Sequence, residues 1–101
     1  MLKTIAIDID GTICTEERAF ERALAKPFRK EISTVNELYD KGHTIILFTG
    51  RGWQEYKVTK DWLEKNKVKH HELIMGKPFY DVFIDDRTFN NFKEIKKWLT
   101  H

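Results

Sequence analysis

Four apolar runs in this 101-residue chain each end in a polar side chain able to do chemistry. Asp8 and Asp10 follow Thr4-Ile5-Ala6-Ile7, and Thr49 follows Thr44-Ile45-Ile46-Leu47-Phe48. Lys77 stands one residue past Gly76 after Leu73-Ile74-Met75, and Asp85 with Asp86 closes the run that begins at Tyr80. Side chains alternate along a strand, so Asp8 and Asp10 face one pocket while Ile9 points away. Asp85 and Asp86 bring the carboxylates to as many as four, a density that raises some of their pKa values sharply unless a cation offsets the repulsion. A metal ion is the economical solution. All the candidate ligands are oxygens and no Cys or His cluster has zinc spacing, which favours a hard ion such as magnesium. Lys77 adds a point charge and Thr49 a hydroxyl, and the turns at Gly11, Gly50 and Gly76 let backbone N–H groups approach an anion. Such a pocket suits a phosphoryl group. Any one of these residues is as easily a strand end or a turn former; recurrence at four strand ends is what gives the pattern weight.

The elements that must position them follow from periodicity. Residues 4 to 8 read as a first strand, buried on both faces because three apolar residues run together. Residues 13 to 26 read as a short helical or hairpin excursion. Ile32, Val35, Leu38 and Tyr39 recur at helical spacing behind Pro27 and before Gly42, predicting a helix over about 28–41. Thr44–Thr49 is the clearest strand, ended by Gly50-Arg51-Gly52. Trp53, Tyr56, Lys60 and Leu63 predict an amphipathic helix over about 53–66. Leu73–Met75 and Tyr80–Asp85 read as third and fourth strands. Phe92, Ile95, Trp98 and Leu99 predict a last helix over about 90–100, with Asn90 or Asn91 as cap. This order predicts an α/β domain, a Rossmann-like parallel sheet of four or more strands flanked by helices. In such a sheet the strands' carboxyl ends share one edge, where ligands bind.

At 12.1 kDa the chain is expected to form one domain over residues 1–101, with any lid small or borrowed. Hydrophobic residues make up 41%, in the range of ordinary globular proteins, which argues against disorder. No window approaches the roughly 18 apolar residues of a membrane span, and the N-terminus does not read as a signal peptide, so no membrane partner and a cytoplasmic location are expected. Cys14 is the only cysteine, which excludes an internal disulfide, and it reads as a small buried hydrophobe. Residues 51–101 carry 11 basic against 8 acidic side chains, whereas residues 1–50 carry 7 and 8. Lys57, Lys60, Lys65, Lys67 and Lys69 hold much of that excess, and read as a solvated face before a nucleic-acid patch. His70 and His71 are adjacent, so their side chains diverge and they read as loop residues.

In order and placement these segments resemble the haloacid dehalogenase (HAD) superfamily. Asp8-Ile9-Asp10-Gly11-Thr12 is similar to its first motif, Thr49-Gly50-Arg51 to its second, Lys77-Pro78 to its third and Asp85-Asp86 to its fourth. The resemblance implies a HAD-like phosphatase in which Asp8 attacks phosphorus and becomes an aspartyl phosphate. Asp10 would serve as general acid and base. Thr49 and Lys77, with Gly11 and Gly50, would hold the transferring group. Magnesium would bind Asp8, Asp10 through its backbone carbonyl, Asp85 and Asp86, bridging nucleophile and phosphate. An aspartate at position 10 looks like the phosphatases rather than the dehalogenases. The segments where family members insert a cap are short here, so no cap domain is expected. Specificity would then come from the loop around residues 14–26 or from a neighbouring subunit of a homo-oligomer. Arg51 and Trp53 are candidate contacts to the substrate beyond its phosphate, although Trp53 reads first as packing for the helix that follows.

The Asp-Gly-Thr-Ile-Cys and Thr-Gly-Arg-Gly segments look most like small capless members linked to surface-polysaccharide or nucleotide-sugar synthesis. A sugar or polyol phosphate is therefore the first substrate expected, by analogy alone. The open site and basic second half also allow a nucleotide or nucleic-acid phosphatase. A receiver-like phospho-acceptor domain would use similar residues, but would place its acidic pair first and its lysine last, an order this chain does not follow.

Overall fold

The structure is a computed structural model that describes residues 1–99. Three strands form one parallel sheet in the order β1-β2-β3: β1 is Thr4–Asp8, β2 Thr44–Phe48 and β3 Glu72–Ile74. Thr4 pairs with Thr44 and Asp8 with Phe48, while Phe48 pairs with Ile74. All three strands therefore end along one edge.

The first crossover carries α1 (Arg29–Asp40), which buries Ile32, Val35 and Leu38 as the helical spacing predicted, with Thr34 in addition and Tyr39 only partly covered. Gly42, at φ 99°, adopts the left-handed conformation that stops the helix. The second crossover carries a short 3-10 turn (Trp53–Glu55) running into α2 (Tyr56–Lys65), which buries Thr59, Trp62 and Leu63. The last helix, α3 (Phe92–Leu99), packs Phe92, Ile95 and Leu99 against the core. Asn91 accepts from Glu94 N–H at 3.0 Å while the Glu94 carboxylate accepts from Asn90 N–H at 2.8 Å, a reciprocal cap. Thr100, the last residue of the predicted helix, lies outside the described residues.

The excursion between β1 and α1 contains one 3-10 turn over Ala19–Leu24, and Trp62 Nε1 donates to the Ala25 carbonyl at 2.8 Å, pinning it to α2. No cap domain is evident between β1 and α1 or between Thr49 and Lys77. No helix among the described residues is long and apolar enough to cross a membrane.

Three expectations differ from the structure. Of the stripe predicted for α2, only Leu63 is buried; Trp53 and Tyr56 are exposed, and Thr59 and Trp62 face the core instead. β1 is buried on one face only: Ile5 and Ile7 are inside while Ala6 is exposed. The fourth strand does not form, and the sheet has three strands among the described residues. The β3 side of the sheet is held as far as Lys77, whose N–H donates to the Thr49 carbonyl at 2.9 Å. Pro78 then has no N–H to continue the ladder. Val82 and Ile84 remain exposed, and β1 keeps an unpaired outer edge. Residue types that favour a strand do not make one without a partner ladder.

Candidate active site

At the carboxyl edge β1 continues through Ile9, which is fully buried, so that Asp8 and Asp10 emerge together on the other side. Gly11 follows at φ 79°, a conformation that costs other residues energy. The turn closes with Thr12 N–H and Ile13 N–H both donating to the Ile9 carbonyl, at 3.1 and 3.0 Å. A second connection is made between the ends of β2 and β3. Gly76 N–H donates to the Arg51 carbonyl at 2.8 Å, and this, with the Lys77 to Thr49 bond, carries Lys77 to the head of β1.

These ends enclose a cleft of about 470 Å³ whose walls include Asp8, Asp10, Arg22, Arg51, Glu55 and Lys77. Lys77 Nζ lies 3.6 Å from an Asp8 carboxylate oxygen. Burial raises the Asp8 pKa, and Lys77 opposes that rise without cancelling it. Burial by itself would lower the Lys77 pKa, but the Tyr80 hydroxyl and the Asp8 charge outweigh it, so the ammonium holds its proton more tightly than usual. The Asp8 side chain keeps 37% of its surface open, so a carboxylate oxygen can meet a substrate.

Asp10 is held far more tightly. Arg51 donates through Nε to one carboxylate oxygen at 3.0 Å and through Nη2 to the other at 2.7 Å, a bidentate pair with a buried guanidinium. Its third nitrogen, Nη1, donates to Thr59 Oγ1 at 2.9 Å. Thr49 Oγ1 donates to Asp10 at 3.4 Å and accepts from Arg51 N–H at 3.1 Å. Arg22 reaches Asp10 at 3.4 Å from the excursion, and also donates to Glu55 at 2.9 Å and to the Glu17 carbonyl at 2.7 Å.

The structure thus brings together Asp8, Asp10, Thr49, Gly50, Arg51 and Lys77, with Gly11 in the turn beneath them. Asp85 and Asp86 are not brought there. Both are exposed beyond Tyr80, where Asp85 accepts from Arg87 N–H at 2.9 Å and Asp86 pairs with Arg87 at 3.3 Å. No three His, Cys, Asp or Glu side chains among the described residues gather where they could hold one ion. The donor chemistry suits magnesium, but the placement supplies two of its four implied residues. The physical reason is the missing fourth strand, which would have carried Asp85 to the shared edge. The crowding of carboxylates expected at that edge is relieved here by Lys77, Arg51 and Arg22.

Sequence reasoning missed Arg22, Glu55 and Thr59. Arg22 lies in a segment without periodicity, so nothing in its spacing signals a contact 12 residues back. Thr59 sits one turn after Glu55, whose carbonyl accepts from its hydroxyl at 2.8 Å, and only the position of Arg51 reveals its second bond. Trp53, expected first as packing, is 64% exposed and stacks on Tyr56 with ring centroids 5.9 Å apart.

The sequence matches no family model and no curated protein. Among solved structures, a crystal structure of a Vibrio cholerae protein is 24% identical, with a TM-score of 0.75 over 99% of this chain and 98% of that one. Two chains from structures of the Pnkp1/Rnl/Hen1 complex, described in one as an RNA repair complex, are 18% and 20% identical with TM-scores of 0.67 and 0.66. They cover 96% and 97% of this chain, which spans only 33% and 30% of theirs. At these identities the likeness is one of fold: a compact α/β arrangement, with a parallel sheet and flanking helices, that this chain shares with all three.

Proposed function

We propose that this chain is a HAD-type phosphatase that hydrolyses a phosphate monoester through an aspartyl phosphate on Asp8. The observation that carries the proposal is the contrast between the two carboxylates of the cleft. Asp8 is partly open beside a lysine, whereas Asp10 is clamped by a bidentate arginine. The open one suits attack. The clamped one is fixed beside it, but both its oxygens accept from Arg51, so proton transfer by Asp10 requires one of those hydrogen bonds to open.

In the first step an Asp8 carboxylate oxygen attacks phosphorus and the bond to the leaving oxygen breaks. That oxygen takes the proton carried by Asp10. In the second step a water gives its proton to Asp10 and attacks phosphorus, and the bond to Asp8 breaks. Phosphate leaves with both side chains restored. Lys77 offsets the charge on the phosphoryl oxygens and the Gly50 turn lines the same cleft, while Thr49, fully buried, acts there through its hydrogen bond to Asp10.

Magnesium belongs to this proposal on donor chemistry. By the family resemblance it would be held by Asp8 and the Asp10 carbonyl, together with Asp85 and Asp86, which this structure leaves exposed outside the cleft. When bound, it would reduce the repulsion between the nucleophile and an anionic ester.

The substrate proposed from the sequence is a sugar or polyol phosphate. A nucleotide or nucleic-acid phosphate is the second reading, supported by the fold shared with chains of an RNA repair complex. The test is hydrolysis of a generic aryl phosphate with magnesium. Turnover that chelation abolishes and Asp8→Asn removes is expected; wild-type turnover by Asp8→Asn would overturn the mechanism.

A further inference from the structure

Arg51, the arginine expected to meet the substrate beyond its phosphate, is not available to do so. Its side chain is 1% exposed, and all three guanidinium nitrogens are engaged by Asp10 and Thr59. Arg22 stands in the cleft wall instead. It belongs to the 3-10 turn Ala19–Leu24, and Glu55 ends the turn that leads into α2, so the two crossovers bring them together. Arg22 Nε donates to Glu55 Oε1 at 2.9 Å, while Nη1 donates to the Glu17 carbonyl at 2.7 Å and to Asp10 at 3.4 Å.

These contacts leave Arg22 Nη2 and Glu55 Oε2 without a partner among the described residues. Neither atom is shut away from solvent, because no buried side-chain nitrogen or oxygen among the described residues lacks a hydrogen bond. Both residues line the cleft, so a donor and an acceptor open there side by side, already fixed in place by their mutual bond. The charge of Arg22 is offset by Glu55 and Asp10, which leaves it a donor to offer but little net pull on a second anion. A hydroxyl accepts one hydrogen bond and donates another, which is what this pair requires. A carboxylate or a second phosphate would meet Glu55, and an alkyl chain would leave both atoms unmatched.

We propose, resting on the phosphatase reading above, that Arg22 and Glu55 together select a phosphate ester of a neutral polyol, whose hydroxyl accepts from Arg22 Nη2 and donates to Glu55 Oε2. Asp10 meets the leaving oxygen in the mechanism above, and Arg22 lies 3.4 Å from Asp10. The selected hydroxyl is therefore within a carbon or two of the ester.

The test sets glycerol phosphate against propyl phosphate, which has the same carbon chain without hydroxyls, and against phosphoglycerate, whose chain ends in a carboxylate. With magnesium present, the wild-type protein is expected to favour glycerol phosphate over propyl phosphate by about tenfold in kcat/KM, the effect of one hydrogen bond to a charged group. Arg22→Met should bring that ratio near one, and Glu55→Gln, on a different element, should lower it even if Arg22→Met does not fold. A change acting only through Asp10 slows both esters alike and leaves the ratio as it was. That result, a wild-type ratio near one, or faster turnover of phosphoglycerate than of glycerol phosphate would overturn the selection. If no ester is hydrolysed, the phosphatase reading fails, and the pair is then judged by titrating glycerol phosphate and propyl phosphate against the Arg22 Nε–H resonance. Tighter binding of glycerol phosphate by the wild type, lost in Glu55→Gln, is expected; equal binding of the two, or binding of neither, would overturn it.

Discussion

Replacing Arg51 by Leu should destabilise the protein by about 2–3 kcal/mol, most of it through Asp10. Arg51 is buried and donates two hydrogen bonds to the Asp10 carboxylate and one to Thr59. Removing one partner of a buried ion pair costs roughly 3–5 kcal/mol because the other charge is left uncompensated. Two features reduce that figure here: the Asp10 side chain is 14% exposed at the cleft, so water can reach it, and Arg22 remains 3.4 Å away. Leu keeps much of the apolar stem. For a domain of this size the loss corresponds to a fall in Tm of roughly 10–20 °C. Urea unfolding of the wild type, Arg51→Leu, Asp10→Asn and the double variant forms a cycle in which the two single losses should be strongly non-additive. If Arg51→Leu lost less than about 0.5 kcal/mol, the typical bound for a surface change, Arg51 would not clamp Asp10.

Other consequences can be measured separately. Burial raises the Asp8 pKa, so the ionised nucleophile is disfavoured in the folded state, and the stability contributed by its protonated form is lost as pH rises through the raised value. Asp8→Asn should therefore be at least as stable as the wild type in urea at pH 7 while losing activity. For the same reason the Asp8 carboxyl of the metal-free protein should titrate above the ordinary carboxylate range by NMR, and Lys77→Met, which removes an opposing charge, should move it higher still. Cys14 is buried and its thiol is pushed up to about 11, so alkylation at pH 8 should be slow in the native protein and fast in urea. Gly11→Ala should cost about 1 kcal/mol by urea unfolding: a Cβ there meets no atom within 4 Å, which leaves the positive φ as the source of strain.

Much of the fold was legible because it is written in local periodicity. Ile32, Val35 and Leu38 mark the buried stripe of α1, and the unbroken Ile45-Ile46-Leu47-Phe48 run marks β2. The cleft was legible for a related reason: parallel strands must end together, so Asp8, Thr49 and Lys77 had to converge once the strands were identified. The unread parts depend on contacts remote in sequence. Whether Tyr80–Asp85 becomes a strand depends on an edge to pair with, which no residue within the run reports, and the positions of Asp85 and Asp86 depend on that pairing. Arg22 and Glu55 meet across 33 positions, and the first belongs to an aperiodic segment. The direction of Arg51 was likewise hidden, since a residue just past a strand can point into the cleft or back under it. Thr59 and Asp10, on two different elements, decide the outcome.

Phosphorylation of Asp8 itself can be read by quenching the protein during turnover of an aryl phosphate, reducing the acyl phosphate with borohydride and locating the modified residue by peptide mass. Conversion of Asp8 to homoserine, dependent on substrate and absent in Asp8→Asn, is expected. Modification of Asp10 instead, or turnover with Asp8 unmodified throughout, would contradict it.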